Sequence, residues 1–182
     1  MWAMSLTAAE RFFSLLALLA AGGAVSLVAL RLVPAGRPVL DVIGPVAPRL
    51  AWLVTATAMF GSLYFSESQK FEPCKLCWYQ RIAMFSLVVV LLVGNLRRDR
   101  NLAWYAVPLA GIGIVISIYH YLVEWYPQLE TGSCSLTAPC SAVYFREFGF
   151  ISLSFMAMCG FAAVLALMLL PPKEPLHVQQ AE

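Results

Sequence analysis

Polar positions interrupt this 182-residue chain so rarely that its apolar residues gather into five runs, about Phe12–Val33, Leu50–Phe65, Trp78–Leu96, Leu102–Val123 and Phe150–Leu170. A helix that crosses a bilayer needs about 20 mostly apolar residues. The runs therefore predict five transmembrane helices, the second of them short. Pro34, Pro38, Pro45 and Pro48 break the stretch between the first two, and Pro171-Pro172 stops the last. Lys173–Glu182 reads as a short disordered end. Met1–Val33 also admits a signal-peptide reading. Its apolar run is long for that, the small residues Ala20-Ala21-Gly22-Gly23 lie well inside it, and Glu10 offsets Arg11. A retained helix is the expectation.

Composition supports a membrane protein. The chain is 61% hydrophobic and 12% charged, where soluble domains carry about 25% charged residues. Its net charge is +2, with Lys and Arg scattered rather than set in a stripe. No nucleic-acid-reading motif accompanies them, which excludes that class of partner. The charges do orient the spans. Arg31, Arg37 and Arg49 fall in the first connection, and Arg97, Arg98 and Arg100 in the third. Short loops rich in Lys and Arg stay cytoplasmic. The second connection balances Lys70 and Lys75 with Glu67 and Glu72, and the fourth is acidic. These two face outside, which places the N-terminus out and the C-terminus in.

The outward connections hold the chemistry. Cys74-Lys75-Leu76-Cys77 opens the third run, and Cys134 and Cys140 lie in the fourth connection. Paired cysteines persist as disulfides in an oxidising space. Pro73 predicts a helix start that puts Cys74 and Cys77 in the first turn, where unpaired N–H groups and the helix dipole favour a thiolate. Arg81 falls one turn below Cys77, at the lip of an apolar span. Such an arginine either snorkels to the interface or serves a bound group, stabilising a thiolate or hydrogen-bonding a headgroup in the membrane. Cys134 and Cys140 close a small turn-rich loop with Thr131, Gly132, Ser133 and Pro139, suited to exchange with a soluble dithiol protein. His120, near the outer end of the fourth run, is either a satisfied interfacial histidine within an aromatic belt or a proton-transfer group. Cys159, inside the fifth run, reads as an inert small hydrophobe. Four thiolates also suit zinc, but the second pair is C-x5-C rather than a repeated C-x-x-C. No metal is expected.

The string Cys74-x-x-Cys77-x-x-Gln80-Arg81, with a second outward pair, resembles the disulfide bond formation protein B (DsbB) family of bacterial inner-membrane quinone reductases. The short Cys134–Cys140 spacing followed by Gly149-Phe150-Ile151-Ser152 is most similar to its short-loop, BdbC-like branch. The resemblance covers about Leu50 to Leu170. It implies an all-α membrane protein: a four-helix transmembrane bundle over residues 50–171. To this the chain adds an N-terminal transmembrane helix with a Pro-rich cytoplasmic connection over 1–49, and a short cytoplasmic tail over 172–182. It implies a quinone cofactor, ubiquinone or menaquinone, and a DsbA-like thioredoxin-fold partner outside the cytoplasm.

Carried over by position, Cys74, Cys77, Cys134 and Cys140 are the catalytic cysteines, with Cys134 meeting the partner and Cys77 contacting the quinone. Arg81 and His120 are the expected quinone neighbours. The expected sequence is attack by the partner on Cys134, release of Cys140 onto Cys74, and departure of Cys77 as a thiolate under Arg81. Two other classes remain at this point. A vitamin K epoxide reductase-like enzyme carries its C-x-x-C late, the reverse of the order here. A membrane scaffold would hold these cysteines as structural disulfides that never cycle.

Overall fold

The computed structural model describes residues 6–130, 134 and 138–170. The expected tail over 172–182, the stop at Pro171-Pro172 and the turn residues Thr131, Gly132 and Ser133 lie outside them. Six α-helices follow in order: α1 (Leu6–Leu32), α2 (Arg37–Ile43), α3 (Ala47–Leu63), α4 (Lys75–Arg97), α5 (Leu102–Trp125) and α6 (Leu153–Met168). No strand forms among the described residues; a lone antiparallel bridge joins Glu147 and Ile151. The helices α1, α4 and α5 and the helical stretch 34–68 are long and apolar enough to cross a membrane, and α6 is a shorter apolar helix. The chain is an all-α, multi-pass membrane protein.

The proline-rich connection departs from its expected break. Each proline sits at the first or second position of a helical piece: Pro34 before α2, Pro38 in α2, Pro45 in the turn after it, Pro48 in α3. There the missing N–H is one that a helix start leaves unpaired, and the fixed φ suits the helix. The segment therefore stays helical while changing direction. The short second run also gains length, because α3 continues through a π-helical turn over Tyr64–Ser68.

Helix α6 is the hub, packed against α1, α3 and α5, while α4 bridges α3 and α5. Its sequence is apolar on every side because it is buried on almost every side. Within a bilayer, close packing rather than water exclusion holds helices together, and small residues allow it. Phe161 of α6 is fully buried and its ring lies where any side chain on Gly113 of α5 would project. Phe13 of α1 seats on Gly61 of α3 in the same way, its ring 2.8 Å from where a Cβ would lie. The fifth run starts its helix later than expected. Phe148 and Gly149, both at positive φ, make a tight turn closed by paired Glu147–Ile151 hydrogen bonds, and Ser152 then caps α6 through the Phe155 N–H.

Candidate functional site

All four loop cysteines meet at one end of the bundle. Cys74 is the N-cap of α4 rather than part of its first turn, and its Sγ accepts the Cys77 N–H at 3.3 Å. The two sulfurs lie 2.9 Å apart as free thiols. Cys134 and Cys140 are joined in a disulfide with Cα atoms 5.9 Å apart. A four-thiolate metal site requires those two as thiolates, and the disulfide ties them up; Cys74, Cys77 and His120 are left as three grouped donors. Cys74, Cys140 and Val123 form one buried cluster, with Cys77 and Cys134 packed at its edge.

His120 joins the two pairs. Its Nε2 lies 3.6 Å from Cys74 Sγ and 3.2 Å from the Cys140 carbonyl oxygen. Its Nδ1 is buried without a hydrogen-bond partner among the described residues, as is Oε2 of Glu124 one turn further along α5. Both residues line a cavity of about 20 Å³ together with Cys74, Cys77 and Glu72, room for about one water. Cys74 lies just outside the spanning part of α4. Its thiol is lowered to about 4, chiefly by the hydrogen bond from the Cys77 thiol, against the opposing effect of burial and with further help from His120.

A second, far larger cavity of about 640 Å³ opens on the other side of the C-x-x-C. Cys77 lines both cavities, whereas Cys74 and His120 line only the small one. Arg81 and Gln80 reach the large cavity too. The Arg81 guanidinium is turned toward α3: Nε donates to Ser62 Oγ and Nη2 to the Ser62 carbonyl, each at 2.9 Å, and Trp78 stacks beneath it at 5.5 Å. Gln80 is 7% exposed, and its Nε2 has no partner among the described residues. A buried amide donor of this kind needs an acceptor.

Sequence reasoning missed the residues that hold the two loops. Glu130 accepts the Cys140 N–H at 3.0 Å and the Ser141 hydroxyl at 2.8 Å, fixing Cys140 from outside. Tyr144 donates to the Glu72 carbonyl at 2.7 Å and stacks on Phe71 at 4.4 Å, tying the second loop to the first. Phe65 and Phe13 extend this aromatic chain to α1. Glu130 had one available signal, an acid in an otherwise turn-forming loop close to a cysteine pair; Tyr144 and Ser62 had none. Cys159 is buried within α6, away from the other cysteines.

The comparisons with known proteins agree with this arrangement. The family model for disulfide bond formation protein DsbB matches residues 46–171. A probable disulfide formation protein C 2 of Bacillus anthracis is 43% identical over 119 residues, covering 65% of this chain and 85% of that protein. A probable disulfide formation protein C of Halalkalibacterium halodurans is 42% identical over 125 residues, covering 68% and 91%. The disulfide bond formation protein C of Bacillus subtilis is 44% identical over 121 residues, covering 66% and 88%. No solved structure matches the chain. With its paired cysteines at one end of an apolar bundle and this match over most of its length, the chain belongs to the DsbB family, as a membrane oxidoreductase of disulfide bond formation.

Proposed function

We propose that the protein is a dithiol:quinone oxidoreductase that reoxidises a DsbA-like thioredoxin-fold protein outside the cytoplasm. The observation that carries this reading is the graded placement of the four sulfurs. Cys134 is half-buried at the rim, Cys140 and Cys74 are buried together, and Cys77 alone opens on the large apolar cavity. The order leads from water to lipid. Arg31, Arg37, Arg97 and Arg98 cap the opposite end of the bundle. The positive-inside rule then turns the cysteine end outward.

The cavity residues fit a quinone: an orphaned amide at Gln80 and the guanidinium of Arg81 supply donors for carbonyl oxygens, and the remaining walls are mostly apolar. When bound, the quinone accepts two electrons and two protons. The chain's own residues do the rest. A partner thiolate attacks Cys134, breaking the Cys134–Cys140 bond. A second partner thiolate then attacks the mixed disulfide, leaving the partner oxidised and Cys134 and Cys140 reduced. Cys140 attacks Cys74, and Cys77 departs as a thiolate onto the cavity side. Cys134 then closes on Cys140, which leaves Cys74 and Cys77 reduced. Cys74, held as a thiolate, is set to close again on Cys77, 2.9 Å away. A low thiol pKa stabilises the reduced pair, which makes its disulfide the stronger oxidant. His120 and Glu124 share the small cavity with Cys74 and Cys77, where they can take up the proton that the Cys77 thiol loses as the pair closes.

The test mixes purified protein, a short-tailed quinone and a reduced DsbA-like protein, following quinone absorbance and partner thiols together. Quinone loss matched by partner oxidation, and abolished by Cys77→Ser, is the expected result. Normal quinone reduction by Cys77→Ser would overturn the assignment of that sulfur, and unreactive cysteines would return the reading to structural disulfides.

A further inference from the structure

The large cavity extends far beyond what a quinone ring fills. Most of its polar lining, Ser62, Ser66, Glu72, Cys77, Gln80 and Arg81, lies toward the cysteine end, and only Thr57 and Ser26 interrupt the apolar walls further along. From there it runs along α1 past Leu16, Ala20, Gly23, Leu27 and Leu30, with α3, α4 and α6 as the other walls. The α1 positions recur every three or four residues, so they form a single stripe on one side of the helix. From Phe13 to Leu30 the stripe is about 25 Å long at 1.5 Å per residue, most of the thickness of a bilayer's hydrocarbon core. A polar pocket at one end of a long apolar channel selects a ligand with a small polar head and a long apolar tail.

Helix α1 stands outside the family match, which begins at residue 46. Yet it packs along α6, and Phe13, which lines the channel, seats its ring on Gly61 of α3. Within the channel, Gly23 leaves open space: no atom lies within 4 Å of where its Cβ would be. The small side chains of α1 keep the bore wide.

We infer that α1 forms the fourth wall of a channel that holds the polyprenyl tail of the quinone, so that the added helix sets preference for tail length. This rests on the quinone reductase function proposed above. A phospholipid shares the tail's apolar character and its phosphate also accepts from an arginine, so the two occupants are told apart by what is extracted from the protein.

The experiment compares wild type, Gly23→Phe and Gly22→Phe. Gly22 is exposed and has open space around it, as Gly23 does, but unlike Gly23 it does not line the channel. Each purified protein is titrated with a polyprenyl quinone and with its tail-less parent, scaled to concentration in the detergent phase. Bound quinone is extracted and quantified, alongside steady-state KM. Gly23→Phe is expected to lower affinity for the tailed quinone relative to the tail-less one by about tenfold or more, since the blocked bore withdraws several methylenes of contact. Gly22→Phe is expected to match wild type. Ala20→Leu, a smaller block about one helical turn away on the same stripe, serves if Gly23→Phe does not fold, and is expected to shift the same ratio in the same direction. An unchanged ratio, or displacement of extractable phospholipid with no change in quinone binding, would overturn the inference. Wild type that neither binds nor reduces either quinone would instead overturn the function itself.

Discussion

A thiol that titrates near 4 has a measurable consequence. An ordinary cysteine at pH 6 is ionised to only about a few parts per thousand. Cys74, brought down from 9.0 to about 4, is almost wholly thiolate at the same pH. The largest cause is the Cys77 thiol 2.9 Å away, with burial opposing and His120 at 3.6 Å adding to it. The perturbation is a pH titration of the reduced protein in a background with Cys134, Cys140 and Cys159 replaced by Ala, reading thiolate ultraviolet absorbance so that reagent access plays no part. A transition near pH 4 that disappears in Cys74→Ser is the expected result. Removing the imidazole by His120→Ala withdraws the ring nitrogen that lies 3.6 Å from the Cys74 sulfur, and should raise that midpoint by about one to three pH units.

Stability of the reduced protein follows the same group. Because the folded pKa lies below the unfolded one, the stabilisation is complete above about pH 9, declines as pH falls, and is gone below about 4. The Cys74→Ser protein should lack this slope. If absorbance in the Cys74-containing protein stays flat until pH 8 and rises only above it, the proposed role of His120 and the Cys77 thiol is wrong.

Glu130→Ala removes two hydrogen bonds to the Cys140 segment, each about 1.5–3 kcal/mol when the acceptor is charged. Hydrogen exchange at the Cys140 amide should accelerate and the partner's thiols should be oxidised more slowly, with the melting of the helices little changed; equal loss of protection throughout the bundle would count against a local role. Phe161→Ala opens a hole in the fully packed contact with Gly113 and should cost about 3–5 kcal/mol, read as a lower unfolding midpoint in detergent. A change under 1 kcal/mol would mean that the α5–α6 seam is not where the bundle is held.

The spans and the cysteine string were plain in the amino-acid pattern because each is local: a run of about 20 apolar residues or a spacing of three. The common location of Cys74 and Cys134 also followed, since span counting and loop charges decide it. What stayed hidden depends on contacts between distant segments. Ser62 receives Arg81 from nineteen residues away, Tyr144 reaches Glu72 across seventy-two, and α1 finds α6 at the far end of the chain. No periodicity encodes those distances. The proline cluster misled for a different reason: proline breaks a helix interior but suits a helix start, and composition alone does not distinguish the two positions.

The crowding of Cys74, Cys77, His120 and Glu124 at one end of the bundle also bears on energy coupling. In the proposed reaction, electrons and protons both arrive from that end, and the orphaned Gln80 amide marks an acceptor only one helical turn deeper. No charge crosses the thickness of the bilayer. A membrane potential acts with about 2.3 kcal/mol per elementary charge per 100 mV only on charge that traverses it. Turnover in sealed vesicles should therefore proceed at the same rate whether or not a potential is imposed, so that the proposed reaction neither consumes nor builds an electrical gradient across the membrane.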